Sequence, residues 1–319
     1  MKTSKLISIF LIILVFVMMT AASGSSSSDS SKTSANSSTA SSSAASSSAS
    51  SAADTKSDSQ AAPASSAASN KDITIEEKVL FDQNDIAITA KSLNMKGLFG
   101  PEVKLLIENN SERSVTVQTR NTSVNGYMVE TMLSTDVAPT KKANDELSIM
   151  RSDLEAAGIT SIADIEFSFH IFDSESWNTI IDSDPVVITT SVYDGFTYTY
   201  DDSGEAVYDE GGIKIVVKGL SEGDSWLGPG IVLYIENATD SAIMVQARDV
   251  SVNGFMVDPL FSCDIAAGKH AIDAVTFMKS DLGSNEIDKI DTCELSFQIT
   301  DYDSWSTIAS TDLITLEFK

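Results

Sequence analysis

Apolar and polar residues alternate along most of the chain beyond residue 85. In Asp85–Leu93, and again in Gly212–Leu220, every second residue is apolar. This period of two is typical of a β-strand that has one face on a core and the other toward water. The same period continues in the later segments, with turn residues between them. The pattern predicts about seven short strands per unit, folded as an antiparallel sandwich.

The chain contains an internal duplication. Gly100–Asn110 returns 128 positions later as Gly228–Ala238, and the register then holds without a gap to the pair Thr190 and Phe318. Of these 91 aligned pairs, 37 are identical. We call the two copies the first and second repeat. The duplication predicts two tandem domains, at 76–190 and 205–319, each with its own core.

Two turns and one short helix stand out within this pattern. Asn125-Gly126 and Asn253-Gly254 predict tight hairpins, because both residue types tolerate the positive φ of a primed turn. A short helix is predicted over Asp153–Ala157, with Ser152 as its cap and Gly158 closing it in the left-handed conformation.

The N-terminus has the features of a secretory signal peptide, which we place at 1–23. Lys2 and Lys5 precede an apolar run, Leu6–Met19, and small residues follow that run. The run is shorter than a spanning helix needs. A lipid-anchored protein would carry Cys where Ser23 stands, so simple cleavage and another kind of anchor both stay open. Residues 24–70 are almost wholly Ser, Ala and Thr, which predicts a disordered linker or stalk.

Charge excludes two classes of partner. The formal net charge is −25, with 9 basic and 20 acidic residues in 72–190 and 7 and 23 in 191–319. Such a field repels nucleic acid and anionic lipid head groups. Membrane contact is therefore expected only through an N-terminal anchor. The expected partner is an envelope or extracellular protein or glycan, and the expected location is exported, either extracellular or at the cell surface.

Several motifs together resemble a family of secreted or lipid-anchored bacterial immunoglobulin-like domains found widely in Gram-positive anaerobes. They are the Ile-Glu-Asn segments at Ile107 and Ile235, the Ser-Val-Asn-Gly turns, the corners Asp173–Trp177 and Asp301–Trp305, and the Ser-rich leader. The resemblance covers 76–319 and implies immunoglobulin-like sandwiches at the cell surface. It supplies no catalytic residues, and Ser23 departs from the lipid-anchored members.

Histidine and cysteine offer little chemistry. In the alignment of the repeats, His170 corresponds to Gln298 and His270 corresponds to Lys142, which excludes a catalytic His shared by both repeats. We therefore predict no enzymatic activity and no cofactor. Cys263 and Cys293 occur in the second repeat only. Alternation turns both inward, which is compatible with an inter-sheet disulfide or with two buried thiols. Two cysteines and two scattered histidines do not make a zinc site.

Paired polar residues recur in both repeats and admit two interpretations each. The carboxylates Asp173, Glu175, Asp301 and Asp303 precede Ser-Trp. They are weak calcium ligand candidates, or the Asp caps a turn and Trp177 or Trp305 seals the core edge. Arg120 and Arg248 are expected either to pair with Glu108 and Glu236 on the surface or to grip a ligand.

Two functions fit these observations. The first is a non-enzymatic, exported binding or adhesion module of the cell envelope. The alternative is a structural spacer or envelope accessory protein without a small-molecule site. An exposed aromatic patch shared by both repeats would favour the binding module.

Overall fold

The computed structural model describes residues 73–223 and 227–319. The predicted signal peptide at 1–23 and the predicted linker at 24–70 lie outside these described residues. Within the described ranges, no helix is both long and apolar enough to span a membrane.

The first repeat consists of short strands and one short helix. In chain order they are β1 (Lys78–Gln83), β2 (Ile86–Asn94), β3 (Glu102–Asn109), β4 (Val115–Val124), β5 (Tyr127–Met128), β6 (Thr131–Met132), β7 (Ser134–Val137), β8 (Lys141–Ile149), α1 (Arg151–Ala156), β9 (Asp164–Asp173), β10 (Thr179–Asp182) and β11 (Val186–Thr189).

The strands of the first repeat form two facing antiparallel layers. One layer has the order β1-β2-β3-β8-β6. The other has β9 between β4 and β10, with β11 also on β9 and β7 also on β4. The inward residues of both layers form one buried apolar cluster between Phe81 and Ile188. Alternate residues of each strand therefore fill one core, as the period of two predicts.

The second repeat has the same elements in the same order, except that β6 has no counterpart strand among the described residues. They are β12 (Glu205–Glu210), β13 (Ile213–Ser221), β14 (Gly230–Asn237), β15 (Ile243–Val252), β16 (Phe255–Met256), β17 (Cys263–Ile265), β18 (Lys269–Thr276), α2 (Lys279–Ser284), β19 (Thr292–Asp301), β20 (Thr307–Ser310) and β21 (Ile314–Glu317).

One layer of the second repeat has the order β12-β13-β14-β18, and the other has β16-β15-β19-β20 with β17 on β15 and β21 on β19. Its buried apolar cluster lies between Ile213 and Leu316. The counterpart of β6 is a single bridge between Leu260 and Thr276, next to Pro259, which has no N–H to donate.

The predicted fold class of two tandem immunoglobulin-like antiparallel sandwiches is confirmed. The strands are more numerous than the expected seven, because two-residue strands follow the hairpins and short strands of three or four residues pair beside the longer ones. Strands β1 and β2 match the second repeat at an offset of 127 and the later elements at 128. The domain limits 76–190 and 205–319 stay predictions.

The two Asn-Gly turns are hairpins, as predicted. Asn125 and Gly126 have φ of 50° and 83°, and Asn253 and Gly254 have 51° and 86°. The Asn125 side chain also binds the chain ahead of β9: its Nδ2 donates to the Ser161 carbonyl at 2.7 Å and its Oδ1 accepts from Ala163 N–H at 2.8 Å. Each hairpin is thus fastened to its own sandwich by its first residue.

A buried asparagine closes the same end of each sandwich. Nδ2 of Asn109 donates to the Arg113 and Val137 carbonyls at 2.7 and 2.9 Å. Nδ2 of Asn237 donates to the Ser241 and Ile265 carbonyls at 2.8 and 3.0 Å. Buried polar groups need such partners, so the side chain substitutes for main-chain pairing where the strand ends.

The helix differs from its prediction at the start and agrees at the end. It begins at Arg151, and Ser152 lies inside it without capping it. The reason is that the Ser152 hydroxyl bonds to the Asp153 carboxylate instead. Gly158 has φ 67°, the predicted left-handed close. The second repeat forms the matching α2 despite Gly283.

The repeats meet where β5 lies beside β18. His270 N–H donates to the Gly126 carbonyl at 2.9 Å, and Tyr127 pairs with His270 in a parallel bridge. Tyr127, Val216 and Tyr234 form a small buried cluster at this contact. We call this contact the junction.

The segment 191–204 between the repeats covers the junction. The Tyr200 ring stacks on the His270 ring with centroids 3.6 Å apart, and the Tyr200 hydroxyl donates to the Asn125 carbonyl at 3.3 Å. Lys269 pairs with Glu166 of the first repeat at 3.0 Å. Burial lowers the pKa of His270, so its ring is neutral at pH 7.

Carboxylates from both repeats also come together near the junction. Desolvation, followed by repulsion from Asp153 and Asp273, raises the pKa of Glu130. Desolvation, followed by repulsion from Glu130 and Asp273, raises the pKa of Asp264 to about 6. The pKa of Asp273 is raised as well, chiefly by desolvation. These three carboxylates therefore bind protons at higher pH than isolated carboxylates do.

Candidate functional site

The most distinctive surface features are the two corners Asp173–Trp177 and Asp301–Trp305, which we call the tryptophan turns. Oδ1 of Asp173 accepts from Ser176 N–H at 2.9 Å and from Ser176 Oγ at 3.0 Å. Oδ1 of Asp301 accepts from Ser304 N–H at 2.8 Å and from Ser304 Oγ at 2.6 Å. This is the Asx-type turn that the sequence predicted.

The Asp173 and Asp301 carboxylates therefore accept hydrogen bonds within their own turns. The main-chain and side-chain bonds from Ser176 lower the pKa of Asp173, and the side-chain and main-chain bonds from Ser304 lower that of Asp301. Each bond favours the charged form of its acceptor.

Glu175 and Asp303 are exposed. In the ranges 73–223 and 227–319, no three side chains of Asp, Glu, His or Cys are grouped so that they could hold a metal ion. The calcium interpretation thus gains no support, since that ion takes six to eight oxygen ligands.

The prediction that Trp177 and Trp305 seal the core edge is wrong. Their side chains are 73% and 54% exposed. Both residues have φ of 60°, in the left-handed region. Strand alternation, on which the prediction depended, ends at the turn, and the left-handed residue leaves its ring outside the sandwich. A bulky residue in this conformation is a backbone outlier.

In the first repeat the exposed ring belongs to a larger aromatic row. Trp177 stacks on Phe172 with centroids 5.5 Å apart and an interplanar angle of 19°. The His170 ring lies 5.3 Å from Phe172. Phe172 is buried on the outside of the sheet, because Trp177 covers it. One face of the Trp177 ring is therefore supported by protein.

Arg120 extends this outer face across β4 and β10. Its guanidinium lies 3.7 Å from the Asp182 carboxylate, which also binds His170. The predicted pairing of Arg120 with Glu108 is wrong, because Glu108 lies on β3 in the other layer and binds Lys142. Arg120 is half exposed, so this ion pair stabilises the fold little.

The second repeat keeps the arginine and the tryptophan but not the aromatics between them. Nε of Arg248 donates to Gln298 Oε1 at 2.9 Å, so its predicted pairing with Glu236, on β14 in the other layer, is also wrong. Tyr302, within the second tryptophan turn, has a raised pKa caused mainly by desolvation and by Asp264, and Arg120 opposes the rise. The second tryptophan turn thus lies within electrostatic range of the first repeat's outer face.

An open polar cleft of about 870 Å³ adjoins the first tryptophan turn. Three loops line it, through Asn84-Asp85, Asn110–Arg113 and the Asp173–Asn178 corner. It offers amide, hydroxyl and charged groups next to the turn that carries Trp177, and the Trp177 ring itself lies on Phe172. An aromatic surface next to convergent polar groups is suited to binding a partner.

The inter-sheet disulfide is not formed, and both cysteines are buried thiols. Cys263 on β17 pairs with Val245, and Cys293 on β19 pairs with Val252, so both cysteines lie in the same layer as neighbours of β15. Seven residues of strand separate these positions by roughly 20 Å, far beyond the ~7 Å limit for a disulfide. Desolvation raises the pKa of Cys293 to about 12, which makes that thiol unreactive.

Comparison with known proteins adds little. No family model matches this chain, and no curated protein does. A crystal structure of a protein of unknown function from Porphyromonas gingivalis W83 is 11% identical, with 77% of this chain and 99% of that chain covered. Its TM-score is 0.20, so the similarity carries no argument.

The sequence did not predict the junction or the aromatic row. A signal for the junction is present, because outward positions differ between the repeats: Leu106 corresponds to Tyr234, and Lys142 to His270. The segment 191–204 also carries four aromatic residues. A signal for the aromatic row is also present, because Phe172 is an apolar residue at an outward position of β9, where the other outward residues are polar.

Proposed function

We propose that the chain is a non-enzymatic binding module that uses its tryptophan turns to contact a partner. The observation that carries this proposal is the conformation and exposure of Trp177 and Trp305. Holding a bulky residue at positive φ costs on the order of 1–3 kcal/mol. Trp177 recovers part of this cost by covering Phe172, but most of its own ring surface stays open to solvent. Glycine would form the same turn without strain. The rings are therefore explained better by binding than by folding.

Repetition strengthens this proposal. The same residue stands in the same turn of both repeats, with Arg120 and Arg248 on the adjoining outer faces. Exposed tryptophan and arginine are the side chains that contribute most to binding at interfaces. A partner that meets both turns gains from two weak contacts at once.

An exported, envelope-exposed location accompanies this proposal and derives from the leader sequence at 1–23. The partner we propose is an envelope or extracellular protein or glycan. The non-enzymatic role fits the placement of the two histidines, because His170 is buried and the His270 ring is covered by Tyr200.

The alternative is a spacer, and the junction favours it. A main-chain hydrogen bond, a stacked Tyr200-His270 pair and a buried tyrosine cluster hold the two repeats together. Such a contact suits an element that keeps two domains in a fixed arrangement. A spacer makes no use of exposed tryptophans, whereas a binding module does.

Binding of the labelled full chain to cell-envelope fragments of the producing organism tests the proposal. We expect Trp177→Ala combined with Trp305→Ala to weaken binding at least about tenfold, and each single substitution to weaken it less. Leu313→Ala is the matched control, because Leu313 is a large apolar residue that is 57% exposed elsewhere. Binding that is equal for the wild type and the double variant would favour the spacer.

A further inference from the structure

The junction is built from two surfaces, and each repeat carries a version of both. One surface is the hairpin tip Asn125–Met128, whose Gly126 carbonyl accepts from His270 N–H. The other is the edge of β18 that faces away from β14. The second repeat has an equivalent hairpin at Asn253–Met256, and the first repeat has an equivalent edge along 141–147 of β8, beyond the two residues that pair with β6.

The hairpin Asn253–Met256 is free of the contact that its counterpart makes. Its turn has the same conformation, with φ of 51° and 86°. Phe255 is 49% exposed and Met256 68% exposed, whereas Tyr127 at the equivalent position is 4% exposed. The second repeat therefore presents to solvent an apolar hairpin with the backbone shape that docks in the first repeat.

The edge of β8 is arranged like the edge of β18. Lys142 pairs with Glu108 on β3 in the same register as His270 pairs with Glu236 on β14. The main-chain N–H of His270 points away from β14 to reach the Gly126 carbonyl. Because the register is the same, the main-chain N–H of Lys142 points away from β3. Main-chain groups at a strand edge are ready to pair with another chain.

The two free surfaces also carry the same pair of opposite charges that meets at the junction. Lys269 pairs with Glu166 across the junction at 3.0 Å. The equivalent residues are Lys141 beside the edge of β8 and Glu294 beside the free hairpin. Lys141 is exposed. A hairpin docked on β8 would bring these opposite charges together.

We propose that the hairpin Asn253–Met256 of one copy docks on the β8 edge of a second copy and repeats the junction between molecules. The contact is head-to-tail, so it leaves one free hairpin and one free edge and extends into open chains. It is weaker than the junction for two reasons. Leu106 and Lys142 replace Tyr234 and His270 on β3 and β8, and no linker holds the partners at high effective concentration.

Sedimentation velocity of the full chain tests this proposal, from about 10 μM to about 1 mM in salt that screens the net charge. We expect the weight-average sedimentation coefficient to rise with concentration. Phe255→Asp should remove the rise, and Leu313→Asp, at an apolar position that is slightly more exposed, should retain it. A coefficient that does not rise in the wild type, or that rises equally in Phe255→Asp, would overturn the proposal.

Complementation distinguishes head-to-tail docking from a symmetric contact between hairpins. Leu106→Asp disables the β8 side, so neither this variant nor Phe255→Asp should associate alone. Their mixture should form dimers and nothing larger, because each variant keeps one working surface. Self-association of Leu106→Asp would show a symmetric contact and reject the proposal.

A charge swap gives the same test without touching an apolar residue, in case Leu106→Asp fails to fold. Lys141→Glu and Glu294→Lys should each weaken self-association, because like charges then meet across the contact. A mixture of the two variants should regain association where the swapped charges oppose each other. Equal association of both single variants and the wild type would contradict the proposed pairing.

Discussion

Equivalent positions of the two repeats agree where side chains face the core and differ where they face out. Ile86 and Ile88 on β2 correspond to Ile213 and Ile215 on β13, and all four are buried. On the outer side of the neighbouring strands, half-buried Leu106 corresponds to Tyr234, which is fully buried at the junction. The shared residues specify the sandwich, and the differing ones specify what each sandwich contacts.

The first test of this comparison targets a residue that both repeats share. Asn109→Ala and Asn237→Ala should each lower the free energy of unfolding by about 3–5 kcal/mol, because each leaves two or more buried carbonyls without a donor. The two losses should be similar, since the hydrogen bonds are equivalent. Denaturant unfolding measures them.

Asn110→Ala is the control, because this neighbouring side chain is exposed and its removal should change stability by less than about 0.5 kcal/mol. A loss at Asn109 without a matching loss at Asn237 would show that the sandwiches are closed differently.

The second test targets a position at which the repeats differ. Tyr234→Ala should cost about 3 kcal/mol, the lower part of the range for emptying a buried aromatic site. Leu106→Ala should cost about 1 kcal/mol, because its side chain is only half buried. Tyr234→Ala should also speed hydrogen exchange at His270 N–H, which binds Gly126 across the junction. Equal costs at the two positions would contradict a junction that buries Tyr234.

The third test concerns pH, which acts on the junction carboxylates. A carboxyl group with a raised pKa binds its proton more tightly in the folded chain than in the unfolded chain. Between about pH 4 and about pH 6, the value for Asp264, the stability it adds is therefore lost as pH rises. Burial of His270, whose pKa is lowered, acts in the opposite direction over this range. The three junction carboxylates Glu130, Asp264 and Asp273 should outweigh it, so the melting temperature should be higher at pH 5 than at pH 7 in the wild type.

Asp264→Asn should reduce this difference, because it removes both the titrating group and its repulsion with Glu130 and Asp273. Asp264 keeps contact with water, so solvent screening keeps the effect modest. An unchanged difference between pH 5 and pH 7 in the variant would show that other groups cause it.

Local periodicity was enough to predict the strands, the hairpins and the sandwich class. Asn125-Gly126 and its counterpart are hairpins because a positive φ at two successive residues is a local requirement. The junction could not be predicted in this way. Tyr234 alternates outward on β14, and only the first repeat and the segment 191–204 provide the surface that buries it.

The predictions for the cysteines and tryptophans fail for a related reason. Alternation gives the direction of a side chain within a strand but not which strands share a layer. Cys263 and Cys293 both point inward, yet they lie in one layer opposite distant residues of β15, too far apart to bond. Trp177 and Trp305 follow the ends of strands, where the left-handed turn cancels the alternation.

The smallest expected effect on stability is at the tryptophan turns. Trp305→Ala should change the free energy of unfolding of the chain by less than about 0.5 kcal/mol, the usual range for exposed positions. Phe297→Ala, at a buried position of the neighbouring β19, should cost about 3–5 kcal/mol and serves as the contrast.

Trp305→Gly should leave the free energy of unfolding unchanged, because release of left-handed strain, worth roughly 1–2 kcal/mol, offsets the greater flexibility of the unfolded chain. Denaturant unfolding of the three variants decides the matter: a loss of several kcal/mol in Trp305→Ala would make the ring a folding element and remove the main support for a binding role. If stability is kept while envelope binding falls, the strained turns serve a partner, and the two repeats then share a contact surface as well as a core.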